Sequence, residues 1–325
     1  MVRAHDRRGV HRLHPDETLN SRPVPTGRSV AFATHPESGD LDDGWPAIQA
    51  ALRSVGLTPE VTFWDDPAVA WEHFDVVVSV YAWGYVTERV AFLSWADRVA
   101  AVSHLVNPAP VLRWNSDKIY LADLAGEGIP TVPTVWVAPG VGWDPPGGDY
   151  VVKPTVGAGG RGAARYRSLP VQRAARHVDR LHREGQTVMI QPYLSRIDGA
   201  GETDLVYIGG HYSHAVTKAA LLEADAGETE YLWERQVITP TEPRPDQREL
   251  ADTVMGTAGR RFGSLGYGRV DLVDGADGEP VVIELELVEP SLFLTHGPGG
   301  AARLADHLRA VSGDAPRPPE PAPPH

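Results

Sequence analysis

The sequence predicts a mixed fold: an α/β unit built on a parallel sheet, followed by two α+β units. Three observations predict it. Residues 29–103 keep a β-α-β-β-α rhythm, residues 151–162 run from a strand into a glycine-rich turn, and residues 267–287 hold two apolar strands joined by a turn. In order, residues 29–34 (SVAFAT) form a strand and 44–55 a helix. Residues 60–64 and 75–80 (DVVVSV) are strands, and 87–103 a helix. Strands alternating with helices favour a parallel sheet. A helix follows over 116–127, with Asp117 in its first turn and Gly128 just past its end. Residues 134–137 and 150–153 are strands and 171–183 an amphipathic helix. Strands at 187–191, 203–208 and 211–218, a helix at 247–262, strands at 267–273 and 281–287, and a helix at 300–311 complete the chain. The expected division is a flexible leader (1–28), a parallel-sheet domain (29–112), two α+β subdomains (113–186 and 187–312) and a proline-rich tail (313–325).

Composition narrows the function. The 325 residues carry a formal net charge of −13 and no basic block, which argues against a nucleic acid partner. No apolar run approaches a membrane span, and the basic start lacks the apolar core of a signal peptide. With no cysteine there is no disulfide, thiol nucleophile or thiolate metal site; a cytoplasmic location fits. Of the 30 basic residues only Lys118, Lys153 and Lys218 are lysines. A compact ammonium among phosphate oxygens is the place where Arg cannot replace Lys, so these three are candidate site residues.

Two segments carry chemistry. VVKPTVGAGGRG (151–162) contains G-x-G-x-x-G at Gly157, Gly159 and Gly162. No helix opens at these glycines and no Gly-Lys-Ser/Thr follows, so neither a dinucleotide fold nor a P-loop fits. Either the loop's backbone N–H groups close over phosphates, with Lys153 at the strand end, or this is a plain surface hairpin. GRVDLV (268–273) and VVIELELVEP (281–290) are the second pair. Residues two apart on a strand share a face, so Arg269 joins Asp271 and Glu284 joins Glu286. A hairpin through DGADGEP would bring these carboxylates together, a set suited to Mg²⁺ with phosphates, unless that face is simply outer surface.

Lysine at a strand end before a glycine-rich loop, then Q-P-Y-L, R-V-D and E-x-E with Pro-Ser after it, resembles the ATP-grasp superfamily. The closest branch holds prokaryotic glutathione synthetase and the glutamate-adding ribosomal protein modification enzymes. LRWNSDK, VPTVWV and IELELVEPSLF look closer still to the group that includes the D-cycloserine-forming ligase. The resemblance implies an ATP-grasp fold in which the two α+β subdomains clasp ATP. It implies that Lys118 and Lys153 bind phosphates beneath a lid that includes Gly157, Gly159 and Gly160. Gln191 would meet the adenine amino group, the Tyr193–Leu194 backbone the ring edge, Asp198 the ribose, and Lys218 phosphate or adenine. Arg269 would stabilise the transferring phosphoryl group. Asp271, Glu284 and Glu286 would hold two Mg²⁺ ions, for which Mn²⁺ could stand in. Trp83, Glu202, Arg235, Ser291 and His296 are candidates for the substrate pocket.

The resemblance thus implies a carboxylate–amine ligase acting through an acyl phosphate on small-molecule carboxylate and amine substrates, in natural-product biosynthesis, and a homo-oligomer. An intramolecular cyclase and a non-catalytic nucleotide-binding module are the alternatives. Two departures bear on it. Glu286 stands where the family commonly has Asn. In place of an Arg-Ser-x-Trp-Asp-Tyr-like segment the chain has Val80-Tyr81-Ala82-Trp83-Gly84-Tyr85, without that Arg and Asp, which implies an altered substrate. His211 and His214 could suit a metal, although surface strand histidines are the commoner case. The acidic stretch 221–236 reads as a flap.

Overall fold

The first strand of the chain, β1 (Arg28–Thr34), is buried from Ser29 onward, as its unbroken apolar run requires of a parallel strand covered on both faces. The computed structural model describes residues 28–35, 44–168, 170–220, 222–228 and 237–313. The leader up to residue 27, Arg235 with most of the expected flap, and the tail from residue 314 lie outside the described residues. Arg28 belongs to β1 rather than to the leader.

β1, β2 (Leu57–Phe63), β3 (Val76–Tyr81) and β4 (His104–Val106) form a parallel sheet in the order β2-β1-β3-β4. Alternate residues of β1 serve opposite layers. Val30 and Phe32 pack with Ile48 and Leu52 of α1 (Trp45–Ser54). Ala31 and Ala33 pack beneath Phe92, Trp95 and Val99 of α2 (Arg89–Ala100). A 3-10 turn over Trp83–Thr87 takes Thr87, the first residue expected in that helix, which starts at Arg89 and ends at Ala100.

A helix that the sequence does not predict, α3 (Ala109–Asn115), comes next. Of the helix expected over 116–127 only α4 (Tyr120–Gly126) forms, with Asp117 and Lys118 in the turn between the two. The Asp117 carboxylate accepts the Ile119 N–H at 3.2 Å, a local bond that competes with helix.

The middle sheet is antiparallel: β5 (Val135–Val137), β6 (Tyr150–Pro154), β7 (Ala164–Tyr166) and β8 (Val188–Pro192), in the order β5-β8-β6-β7. α5 (Gln172–Arg183) backs it through Ala174, Val178 and Leu181. Because β8 pairs with β5 and β6, a boundary at 186 would cut this sheet. The division that follows the sheets falls after Pro192.

A one-turn helix α6 (Ile197–Ala200) leads into the third sheet. It is formed by β9 (Glu202–Ile208), β10 (His211–Lys218), β11 (Ile238–Thr241), β12 (Tyr267–Asp274) and β13 (Pro280–Glu286), in the order β11-β10-β9-β12-β13. Leu205, Val270, Leu272 and Leu285 point to α7 (Pro245–Phe262), against Ala251, Val254 and Ala258. The closing helix α8 (Gly300–Val311) returns to the first sheet, where Leu304 and Leu308 join the core of Phe32 and Leu52.

β13 is an edge strand, yet its outer edge is not open. Asn115 at the end of α3 accepts the Leu287 N–H at 2.6 Å and donates to the Leu285 carbonyl at 2.7 Å. The Tyr120 hydroxyl accepts the Leu285 N–H at 2.9 Å. Val282 exchanges backbone bonds with Pro130 and Val132, and Asn107 donates to the Leu287 and Tyr267 carbonyls. The segment 107–132 thus acts as a sixth, irregular strand. Replacing Asn115 by Leu leaves two buried backbone groups without partners, a loss of about 3 kcal/mol at roughly 1–3 kcal/mol per group. Urea denaturation of Asn115→Leu should show that fall, while Ser54→Ala on the exposed end of α1 should stay within about 0.5 kcal/mol of the parent. An unchanged midpoint for Asn115→Leu would mean the strap does not hold the strand.

Candidate active site

With its apolar face committed to α7, the third sheet turns its charged face to a cleft of about 310 Å³. The glycine-rich loop and β6 of the middle unit line the opposite side. Strand pairing explains the charge cluster on the floor. Asp271 lies opposite both Asp204 of β9 and Glu284 of β13, and Arg269 lies opposite Glu286. Residues directly opposite in an antiparallel pair share a face. The carboxylate face is therefore the cleft floor and not outer surface.

Arg269 is buried and grips Asp271 with two bonds, 2.7 Å from Nε and 2.8 Å from Nη2. Nη2 also donates to Glu286 at 2.5 Å and Nη1 to the Ser291 carbonyl at 3.1 Å. Burial alone would lift Asp271, but Arg269 and Lys218 outweigh it and hold the carboxyl below its ordinary range. Burial pushes Glu286 up to about 7, against the pull of Arg269 and with help from Glu284.

Lys218, on β10, extends among Asp204 (3.0 Å), Glu202 (3.1 Å) and Asp271 (3.3 Å). Burial opposes its charge, yet these carboxylates win and the ammonium is held well above its ordinary pKa. Asp204 is fully buried, and its oxygens lie in ion-pair range of Lys218 without a hydrogen bond of good geometry. Burial, then repulsion from Asp271, raises its pKa well above the carboxylate range. Two carboxylate triads result, Glu202/Asp204/Asp271 and Asp271/Glu284/Glu286, each with one oxygen per residue inside 4.8 Å. Lys218 fills the first. The second, all oxygen and beside the open cleft, suits a Mg²⁺ ion by the hardness of its donors.

On the roof side, Lys118 Nζ lies 3.0 Å from Glu284 and donates to the Gly157 carbonyl, while its N–H bonds Thr155 O at 2.9 Å. One turn thus ties the glycine-rich loop to the acidic floor. That loop joins β6 to β7, and Gly157, Gly159 and Gly160 line the cleft; Gly159, Gly160 and Gly162 have φ of 58° to 72°, where an L side chain is strained. Lys153 points into the same cleft, and among the described residues no carboxylate reaches it within ion-pair distance. Burial pulls its pKa down, the signature of an ammonium without a counter-ion.

Gln191, Tyr193 and Leu194 line the far end, where Gln191 Nε2 donates to Thr134 Oγ1 at 2.9 Å. Asp198 is not on the lining. The Tyr193 hydroxyl donates to its carboxylate and Arg165 pairs with it, beside the Tyr193–Leu194 end of the cleft. Glu202, Trp83 and Ser291 line the cleft as expected. His296 does not: its ring nitrogen lies 3.1 Å from Thr295 Oγ1, and its ring stands edge-on to Phe293. His214 is buried rather than on a surface, with Nε2 2.9 Å from the Leu292 carbonyl and Nδ1 2.8 Å from Ser213 Oγ. It positions the loop after β13 and does not join a metal cluster. Residues 222–228, the described part of the expected flap, lie along β7 and α5, through the Arg165–Ala224 bridge and the Arg180–Glu228 ion pair.

Sequence reasoning missed two residues here. Asp204 sits inside an apolar strand, two after Glu202, and only the pairing with Asp271 shows its role. Glu289 is buried at the other end of the cleft, where burial raises its pKa well above the carboxylate range, and its backbone carbonyl is bonded by the Trp83 indole at 2.8 Å. Nearby Phe293 has a φ of 46°, a conformation non-glycine residues rarely adopt. The altered 80–85 segment also has a structural reason. A Cβ at Gly84 would fall 2.1 Å from the His35 ring, so His35 fills the space an Asp would need, and Val80 is core.

Known proteins are similar to this chain in sequence and fold. Residues 30–107 match the family model of the N-terminal domain of D-cycloserine synthetase DcsG. The chain is 39% identical to the cycloserine biosynthesis protein DcsG of Streptomyces lavendulae over 292 residues, 86% of this chain and 97% of that one. It belongs to the DcsG family of ATP-grasp ligases. A crystal structure of D-cycloserine synthetase DcsG superposes with a TM-score of 0.80 at 38% identity, covering 87% of this chain and 99% of that one. D-alanine–D-alanine ligase from Bacillus anthracis, complexed with ATP, gives 0.61 at 13% identity over 88% and 98% of the chains. The ATP-grasp ligase PsnB, complexed with its minimal precursor, gives 0.55 at 19% over 88% and 99%. These last two show the fold alone. As a member of the DcsG family the chain is an ATP-dependent ligase that forms C–N bonds. No helix among the described residues is long and apolar enough to cross a membrane.

If Lys218 balances the buried acids, Lys218→Met should cost about 3–5 kcal/mol of stability, the usual loss when one partner of a buried ion pair is removed. Thermal melting should also show a larger Mg²⁺-induced rise in the variant than in the parent. Equal stability of the two proteins would mean the acids are protonated and need no ammonium.

Proposed function

We propose that the protein activates a small-molecule carboxylate as an acyl phosphate and transfers the acyl group to a nitrogen nucleophile, releasing ADP and phosphate. The observation that carries this reading is convergence: all three lysines of the chain and the triad Asp271/Glu284/Glu286 line one cleft.

Lys153, with no carboxylate within ion-pair distance among the described residues, and Lys118, beside the glycine-rich loop, bind the nucleotide phosphates. Gln191 with the Tyr193–Leu194 backbone takes the adenine. Lys218 holds the acidic floor together rather than reaching phosphate directly. Asp271, Glu284 and Glu286 hold the magnesium, with two ions expected once phosphates add their oxygens. When bound, Mg²⁺ supplies neutralisation of the phosphate charge. Arg269 stabilises the transferring phosphoryl group while a substrate oxygen bonds to the γ-phosphorus and the bridge to ADP breaks. The nitrogen then attacks the acyl carbon, phosphate leaves, and the nitrogen gives up a proton. No side-chain nucleophile is needed.

A cyclising version, in which acyl group and nitrogen belong to one molecule, is favoured by the 39% identity to the cycloserine biosynthesis protein.

Mg²⁺-dependent turnover against a panel of amino acids should release ADP and not AMP. Lys153→Ala and Glu284→Gln should each lower the rate by about a hundredfold or more. AMP release would overturn the acyl-phosphate mechanism. A pH dependence follows from Glu286. Below about 7 its carboxyl is protonated in the metal-free protein, so Mg²⁺ must displace a proton there. Titration calorimetry in two buffers should find Mg²⁺ affinity rising with pH through about 7, with proton release that fades above it.

A further inference from the structure

Side chains from other elements hold the loop after β13 by its carbonyls. Ser79 donates to the Val288 carbonyl at 2.8 Å, the Trp83 indole to Glu289 and Arg269 to Ser291. His214 of β10 takes the next, with Nε2 2.9 Å from the Leu292 carbonyl. A carbonyl only accepts, so Nε2 carries the proton. Arg303 of α8 settles the other nitrogen. Its Nε and Nη2 donate to Ser213 Oγ at 3.0 and 2.8 Å, which fills both lone pairs of that oxygen. The hydroxyl proton is left for His214 Nδ1, 2.8 Å away. The bonds thus run in one direction, from Arg303 to Ser213 to His214 to Leu292. Neighbours on a regular strand point to opposite faces. Ser213 and His214 act together because the register of β10 shifts between Tyr212 and His214, a bulge. The ring is also confined, since a Cβ at Gly297 would fall 2.2 Å from it. Burial first, with Arg303 and His296 against the pull of the Leu292 carbonyl, holds the imidazole below its ordinary pKa.

We propose that Arg303, Ser213 and His214 form a positioning relay for Arg269, acting through the loop after β13. The relay rests on the ligase reading above, in which Arg269 meets the transferring phosphoryl group. Leu292, which the relay holds, lies between two residues that touch that guanidinium. The Ser291 carbonyl accepts from Arg269 Nη1 at 3.1 Å, and the Phe293 ring centroid lies 5.3 Å from its Cζ. Phe293 has a φ of 46°, which a phenylalanine does not favour, so the backbone on either side has to hold it. His214 does so before it, and the His296 N–H, 2.8 Å from the Phe293 carbonyl, does so after it. Arg303, Ser213 and His214 do not line the cleft, so they act by placing a residue that does. A loosened loop would leave Arg269 bound to Asp271 without its anchor at Nη1. That costs contact with the transition state rather than affinity for the nucleotide.

The test joins kinetics to NMR on the full chain. ADP release is followed with Mg²⁺, ATP and the amino acid of the panel that gives the fastest turnover. His214→Phe keeps a ring and loses the donor. It should lower kcat about tenfold or more while KM for ATP stays within about twofold. His214→Gln puts an amide N–H near the place of Nε2 and should restore most of the rate, which lost packing alone would not allow. Unchanged kcat in His214→Phe, or an equal loss in His214→Gln, would overturn the relay. ¹⁵N NMR of the unaltered protein at neutral pH should show His214 uncharged, with its proton on Nε2. The Arg269 Nε–H signal should move in His214→Phe and return in His214→Gln. An Nδ1–H tautomer, an imidazolium or an unmoved Arg269 signal would each overturn the relay. Should His214→Phe fail to fold, His214→Asn, whose amide stops short of Leu292, takes its place. No ADP release from the unaltered protein with any amino acid would instead overturn the ligase reading, and the NMR signals would still decide whether His214 places Arg269.

Discussion

The arrangement of the protein depends on buried charge. The carboxyls of Glu202, Asp204, Asp271, Glu284, Glu286 and Glu289 converge on a cleft whose cations are Lys118, Lys153, Lys218, Arg269 and, on the glycine-rich loop, Arg161. Acids so far from water are stable only when compensated, and the cations present are fewer than the acids. The deficit falls on the triad Asp271/Glu284/Glu286, where a divalent ion is the natural counter-charge. Lys153 is the opposite case, a half-buried ammonium whose pKa burial pulls down, with no carboxylate within ion-pair distance among the described residues, as expected of a phosphate ligand before phosphate arrives. Substrate and metal binding complete an electrostatic balance that the chain leaves open.

The architecture exists to hold that imbalance in place. α7 takes the apolar face of the third sheet, so the charged face has no option but the cleft. The strap from Asn107 to Val132 satisfies the outer edge of β13, which fixes Glu284 and Glu286, and the same strap carries Lys118 to Glu284 and to the glycine-rich loop. One short segment therefore sets the distance between the phosphate-binding roof and the acidic floor. The return of α8 to the first sheet brings the Trp83 turn against the loop after β13, closing the substrate end.

Much of this was legible in the sequence because period-two alternation and rare residues are local signals. GRVDLV and IELELVEP announced their shared faces, and three lysines among many arginines marked the cleft before any fold was known. What stayed hidden depends on distant pairing. Asp204 looks like any charged residue inside a strand until β12 places Asp271 opposite it. Glu289 follows an apolar pair in the sequence, and only the turn at Trp83–Thr87 shows it to be buried. The start of α4 at Tyr120 rather than Ser116 was hidden because a side-chain bond from Asp117 holds the turn before it. Asp198 and His296 do not line the cleft in the structure; Asp198 sits beside it, bonded by the Tyr193 hydroxyl and Arg165, and the His296 ring contacts Thr295 and Phe293.

The central claim is that a carboxylate oxygen attacks phosphorus in this cleft. Its most direct test is isotopic: the carboxylate substrate that supports ADP release is labelled with ¹⁸O, and the released inorganic phosphate is analysed by mass. Acyl-phosphate chemistry predicts one ¹⁸O atom per phosphate. Unlabelled phosphate, with ligated product still formed, would show that the carboxylate never bonded to phosphorus and would contradict the account.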